Sequence, residues 1–320
     1  MNNTAEKLNN ELIEKKVAVE PQRTNNPHLA IIMAIVANAL WGASFLASKY
    51  TLLVWAPITA TVIRFTLALT VMIVAFPMLG FKIRRLSNVS ELLRVSLIGL
   101  TGFGLLYPMQ LRGLTYIPSN LSACLMLTSP LFVILFARIF LLERLSKWKI
   151  VAITLGILGG IILLEPLSGV RNLHPLDHAF YVGCGLTLLA SAALASSVII
   201  TRKSALELNT ASLTFWTIFI GTILLLPFSF FETQPISSAS NLLPAITAIV
   251  FLSIFCSVLC FLLWNRAIAL LEAKQLASSM HLKTPVAILV GCLVAHEPLN
   301  ATIVIGSIIV ACGVLISQKQ

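Results

Sequence analysis

The sequence predicts an all-α polytopic membrane protein, with ten transmembrane helices arranged as two inverted five-helix repeats. Three observations carry that prediction. Of 320 residues, 58% are hydrophobic and only 11% charged, against roughly 25% charged in a soluble domain. The apolar residues fall into ten runs, each near the ~20 residues a helix needs to cross the ~30 Å hydrocarbon layer. Finally, the chain echoes itself: Lys49/Lys203, Arg112/Arg266 and Glu143/Glu297 are pairs of identical residues 154 positions apart. Charges are scarce here, so charged identities at one offset outweigh any number of apolar ones.

Residues 1–28 are polar, mixed in charge and without an apolar face, which predicts a disordered cytoplasmic tail. Ala37-Asn38-Ala39 mimics a signal-peptide cleavage site, but the polar stretch before it is too long and the apolar run continues to Val54. The first repeat spans 29–168, with segments 29–48, 57–79, 92–111, 118–142 and 148–165. The second spans 177–318, with segments 178–200, 209–231, 243–265, 275–295 and 299–317. Unpaired backbone groups are prohibitive in lipid, so the segments are helices. Pro118 and Pro298 suit helix starts. Pro108, Pro130 and Pro285 fall inside segments and should kink or break them. The connections leave no room for a soluble catalytic domain. All six cysteines lie in apolar segments, without metal-ligand spacing, and read as small packing residues.

Loop charge sets the orientation. With the N-terminus inside, fifteen Lys and Arg fall in inside segments and only Lys49, Arg112 and Arg171 outside; Arg64, Arg94, Arg138 and Lys283 lie within segments. The net charge of +10 is therefore a topology signal, and no nucleic-acid partner is expected. Both termini are placed in the cytoplasm, in a bacterial-type inner membrane. Five helices per half is an odd number, so the second half enters upside down. Inverted repeats are the architecture of carriers that alternate between two openings around one midplane site.

At this point the residues resemble a known family, the EamA-type carriers of the drug/metabolite transporter superfamily. In the first half the resemblance rests on ALWGASFLASK (39–49), Arg64 with Ala68, YPMQLRGLTYIPSNLSACLMLTSPL (107–131), LLERLS (141–146) and the glycines at 156–160. In the second it rests on LLWNRAIALLEAKQLASSM (262–280), TPVAILVGCLVAHEPL (284–299), Gly306 and Gly313. It covers nearly all of 29–318. It implies a ten-helix inverted-repeat carrier, usually an exporter of amino acids or other small metabolites. Two positions depart from the family pattern: Ala195 stands where the first half has Trp41, and Lys283 precedes Pro285 where an apolar residue or Glu is common.

Ionisable groups at membrane depth are costly and mark function. Arg64 lies about 10 Å into its segment at 1.5 Å per residue and suits an anionic substrate group, a gate or a structural tie. Lys283, with His281 two residues before it and Pro285 two after, lies mid-segment and suits the cavity wall, or a stem reaching the boundary. Asn38, Trp41, Tyr107 and Trp264 are polar or aromatic groups within spans that suit cavity lining as well as packing. Glu143 and Glu297 close their segments and read as partners of nearby cations. No Asp or Glu lies at mid-membrane, so a carboxylate proton relay has no support and an anionic or zwitterionic substrate is favoured.

The expected function is a secondary-active carrier exporting a small amino-acid-like or other metabolite by alternating access. An importer or exchanger of the same fold is the alternative, and a membrane-embedded lipid-modifying enzyme a weaker one. No cofactor or metal site is expected. The partners are the substrate and the bilayer, and the sequence does not fix an oligomeric state.

Overall fold

A computed structural model describes residues 27–140, 142, 146–164, 178–204, 208–236, 238–271, 279 and 282–317, without the side chains of 27, 202–204, 210, 265, 268 and 269. Every regular element among them is helical. The first half comprises α1 (Pro27–Thr51), α2 (Pro57–Met78), α3 (Val89–Gly99), a π-helical turn π1 (Leu100–Leu105), α4 (Leu106–Leu114), α5 (Ser119–Met126), α6 (Ser129–Phe140) and α7 (Lys147–Leu164). The second comprises α8 (His178–Ser204), α9 (Thr210–Ser229), α10 (Leu242–Phe251), π2 (Leu252–Leu259), α11 (Cys260–Leu270), α12 (Lys283–Ala295) and α13 (Ala301–Ser317). Eight helical stretches are long and apolar enough to cross a membrane; α12 and α13 are apolar but shorter.

The prolines act in different ways. The fourth segment breaks between Met126 and Ser129, and Pro130 sits in the first turn of the new helix, where its missing N–H costs nothing. Pro118 caps α5, but α13 begins three residues beyond Pro298. Pro108 breaks no helix; the run continues through π1 into α4. The π-helical turn π2 has no interior proline and no sequence expectation behind it. The 154-residue offset carries Leu105 onto Leu259, so both halves widen at the same place.

Packing repeats under the same offset. α1 packs on α11 and α12; its counterpart α8 packs on α4 and α6. α2 packs on π2, and its counterpart α9 on π1. α2 packs on α9, and α7 on α13. The last pair shows the pattern at atomic level. A Cβ on Gly159 would lie 2.8 Å from the Gly306 carbonyl oxygen, and one on Gly313 would lie 2.9 Å from that of Ala152. Exchanging the halves exchanges these two contacts. Hydrophobic burial drives little helix association in lipid, so small residues that let backbones meet carry the interface.

The α2/α9 pair is clamped at both ends. The carboxylate of Glu232, beyond α9, accepts from the N–H groups of Ile58 and Thr59 at 3.1 and 2.9 Å, satisfying the start of α2. At the other end Asn209 accepts from Ser212 N at 2.8 Å, and Lys82 and Arg84, beyond α2, bond to Asn209, Ser212 and Trp216. Between the clamps lies a core of Phe65, Met72, Phe76, Phe103, Ile218 and Val258.

Candidate functional site

Arg64 projects from α2 and is 4% exposed. Its guanidinium carbon lies 4.8 Å from the ring centre of Tyr107 on α4 and 5.1 Å from that of Phe65. Its Nε donates to Ser257 Oγ on π2 at 3.2 Å, and its backbone carbonyl accepts from Ser253 Oγ at 2.9 Å. Among the described residues neither terminal nitrogen of Arg64 has a hydrogen-bond partner.

Lys283 begins α12 and lays its ammonium 4.3 Å from the ring centre of Trp41 on α1. The close approach of the two helices is permitted by Gly42, where a Cβ would lie 2.5 Å from the Lys283 carbonyl oxygen. Trp41 is fixed by its Nε1, which donates to the Cys256 carbonyl of π2 at 2.9 Å, and by edge contacts with Trp264 and Phe261 at 5.6 and 5.7 Å. One turn earlier on α1, Asn38 is fully buried. Its Nδ2 donates to Ala34 O at 2.8 Å and to Ser279 Oγ at 3.1 Å, and its Oδ1 has no partner among the described residues.

The structure thus brings together Asn38, Trp41, Arg64, Tyr107, Trp264 and Lys283. A chain of rings joins them: Tyr107 stacks on Phe103 at 5.9 Å, Phe103 lies 6.1 Å from Phe261, and Phe261 meets Trp41. The seventh candidate, His281, lies outside the described residues, as does Glu143. Neither Arg64 nor Lys283 has a carboxylate partner among the described residues. The two ion pairs there, Lys49–Glu297 at 3.0 Å and Arg84–Glu91 at 2.6 Å, lie at helix ends. A cation over an aromatic face is stabilised by the ring quadrupole without being neutralised. The site therefore holds two cations, each laid on an aromatic ring. No group of His, Cys, Asp and Glu able to hold a metal occurs among the described residues.

A second polar cluster lies beyond the end of α12. His296 takes the left-handed conformation (φ 52°) and turns the chain so that Glu297 reaches back to the first half. Its carboxylate accepts from Ser119 N at 2.8 Å, Ser119 Oγ at 2.9 Å, Asn120 N at 3.0 Å and Lys49 Nζ at 3.0 Å. Burial alone would raise its pKa, but the two backbone N–H groups and the Lys49 ammonium outweigh it and hold the carboxyl below the ordinary carboxylate range. Leu142, at the equivalent place in the first half, has φ 57°. Sequence reading missed Ser253, Ser257, Ser119, Asn120, Phe103 and Phe261. Ser253 and Ser257 offered one signal, a pair of hydroxyls four residues apart in an apolar run.

Comparison with known proteins agrees with this architecture. Residues 28–164 and 181–318 each match the EamA-like transporter family. A protein of Archaeoglobus fulgidus named as an uncharacterized transporter is 29% identical over 291 residues, covering 91% of this chain and 98% of that one. The uncharacterized transporter YyaM of Bacillus subtilis is 26% identical, covering 90% and 93%. A protein of Streptantibioticus cattleyicolor named as a probable terminal-alkyne amino-acid exporter is 23% identical, covering 91% and 93%. A solved crystal structure, 19% identical, matches with a TM-score of 0.62 over 90% of this chain and 96% of that one, and so shares its fold. With both halves matching the same family model, this chain is a multi-pass membrane protein that belongs to the EamA-like transporter family.

Proposed function

We propose that the protein is a secondary-active carrier that exports a small metabolite with an anionic or zwitterionic head group, amino-acid-like in size, by alternating access. The observation that carries this reading is the pair of cations, Arg64 and Lys283, each laid on an aromatic ring without a carboxylate partner among the described residues. Arg64 offers a planar fork that matches a carboxylate with two parallel bonds. Lys283 adds a second charge, and Asn38, Trp41, Tyr107 and Trp264 complete the wall; His281 joins them on sequence position. The exchange-symmetric packing supports ten spans in two inverted halves, with Lys283–Ala295 and Ala301–Ser317 as the shorter ninth and tenth. The loop charges support cytoplasmic termini in a bacterial inner membrane. The relative named for amino-acid export supports the size class and the direction.

The test uses purified protein in liposomes loaded with a pool of isotope-labelled L-amino acids and the matching 2-oxo and 2-hydroxy acids. Mass spectrometry follows what leaves. Saturable release of carboxylate members, accelerated by the same compound outside, is expected. Non-saturating leak would indicate a channel, and a chemically altered product an enzyme; either result would overturn the reading.

A further inference from the structure

We infer that Ser257, seated on π2, is a positioning residue for Arg64: its hydroxyl oxygen takes the Nε–H and turns the terminal nitrogens of the guanidinium toward the substrate. The inference rests on the carrier reading above.

The direction of the hydrogen bonds fixes the role. The Ser257 hydroxyl donates its proton to the Leu252 carbonyl at 3.0 Å, five residues back, in step with the wide turn of π2. Its oxygen is then left as an acceptor, and Arg64 Nε fills it at 3.2 Å. A guanidinium has five N–H donors. Using Nε for the protein leaves four, in the fork geometry that suits a carboxylate. The Tyr107 ring fixes the position of the guanidinium from the other side, at 4.8 Å. Ser253, one turn before, shares its one hydroxyl proton between the Arg64 carbonyl on α2 and the Ile249 carbonyl of its own helix. π-helical turns are rare and gather at functional sites.

The other half supplies an internal control. At the 154-residue offset Arg64 corresponds to Ile218, Ser253 to Gly99 and Ser257 to Phe103. Ile218 is fully buried, and π1 forms without either hydroxyl. The π turn therefore does not need the serines. They occur in the half where a guanidinium must be held, so their role follows the arginine rather than the helix.

Transport of the labelled pool separates positioning from scaffolding. Ser257→Ala should raise KM for the carried carboxylates about tenfold, equivalent to about 1.4 kcal/mol, with kcat changed by less than about twofold. Ser257→Thr, which keeps the hydroxyl, should restore KM. In an Arg64→Lys background, where no Nε–H exists, Ser257→Ala should add less than about twofold, because coupled residues are non-additive. Equal effects of Ser257→Ala in both backgrounds would overturn the inference. So would a fall in kcat alone, or misfolding of Ser257→Ala by size exclusion, since either outcome makes the hydroxyl a structural element. If Arg64→Ala itself leaves KM unchanged, or no member of the pool is carried, the carrier reading fails first and this inference with it.

Discussion

Replacing Glu297 with Gln removes one charge and exchanges one acceptor oxygen for an NH2 group at the junction of the two halves. The consequence can be worked bond by bond. The amide oxygen retains one backbone donor, Ser119 N–H or Asn120 N–H, and the NH2 group turns toward the other. An orphaned buried N–H costs about 1–3 kcal/mol. The Lys49 pair adds less, at most about 1 kcal/mol, because the lysine side chain is 40% exposed and screened by solvent. The lost anion at the N-terminus of α5 adds about 0.3–1 kcal/mol. Glu297→Gln should therefore destabilise the junction by about 1–5 kcal/mol, read as a fall in the unfolding temperature of the detergent-solubilised protein. The pH dependence gives the sharper check. The folded pKa of Glu297 is depressed, so its contribution is fully present above the unfolded carboxylate value of about 4.3. It is lost as pH falls through the folded value. The gap between wild type and Glu297→Gln should stay constant from pH 7 to 5 and close only in more acid solution. Equal unfolding temperatures at pH 7, or a gap that closes near pH 6, would refute the assignment of the four bonds. Gly291→Ala supplies a second probe without touching a charge, since its Cβ would lie 2.8 Å from Glu297 Oε2 and would displace the carboxylate.

Further expectations follow from the same geometry. Lys283→Met keeps length and apolar bulk while removing the charge over Trp41; carboxylate efflux from liposomes should fall at least about tenfold with the protein still monodisperse, on the value of a charge-assisted bond. Reporter fusions after Asn172 and Pro235 should read as external and those after Lys82 and Lys203 as cytoplasmic; an external signal after Lys203 would sink the inverted arrangement. Gly159→Val should separate α7 from α13 and lower the yield of folded protein in size-exclusion profiles, whereas Gly160→Val, which faces open space, should not. Leu142→Gly should relieve the left-handed strain on an exposed leucine, about 1 kcal/mol, and raise the unfolding temperature slightly.

Much of this is legible in the sequence, for physical reasons that differ by residue. Arg64 and Lys283 stood out because charge inside an apolar run is expensive, and both occupy the central cluster. Glu297 stood out through its 154-residue echo, and its expected cationic partner is Lys49. Pro130 marked the break in the fourth segment because a missing N–H has a local consequence. The rest depended on information that side-chain identity does not carry. Half of the Glu297 bonds come from the backbone N–H groups of Ser119 and Asn120, which almost every residue has. Pro108 broke no helix, and π2 arose without proline, because a π turn is a matter of hydrogen-bond register. Ser253 and Ser257 escaped sequence reading because only the fold sets π2 beside α2. The clamp by Glu232 joins residues more than 170 positions apart, beyond any periodicity.

The glycine seam between α7 and α13 bears on how the chain is made. Its two sides are synthesised 154 residues apart, which at ~5–20 residues per second is roughly 8–30 s of translation. Throughout that interval α7 lacks the helix whose backbone meets its glycines. Assembly of the two halves therefore waits for α13. A polypeptide released before Gly306 carries every residue of the central cluster, yet leaves the first half without the helix that closes it.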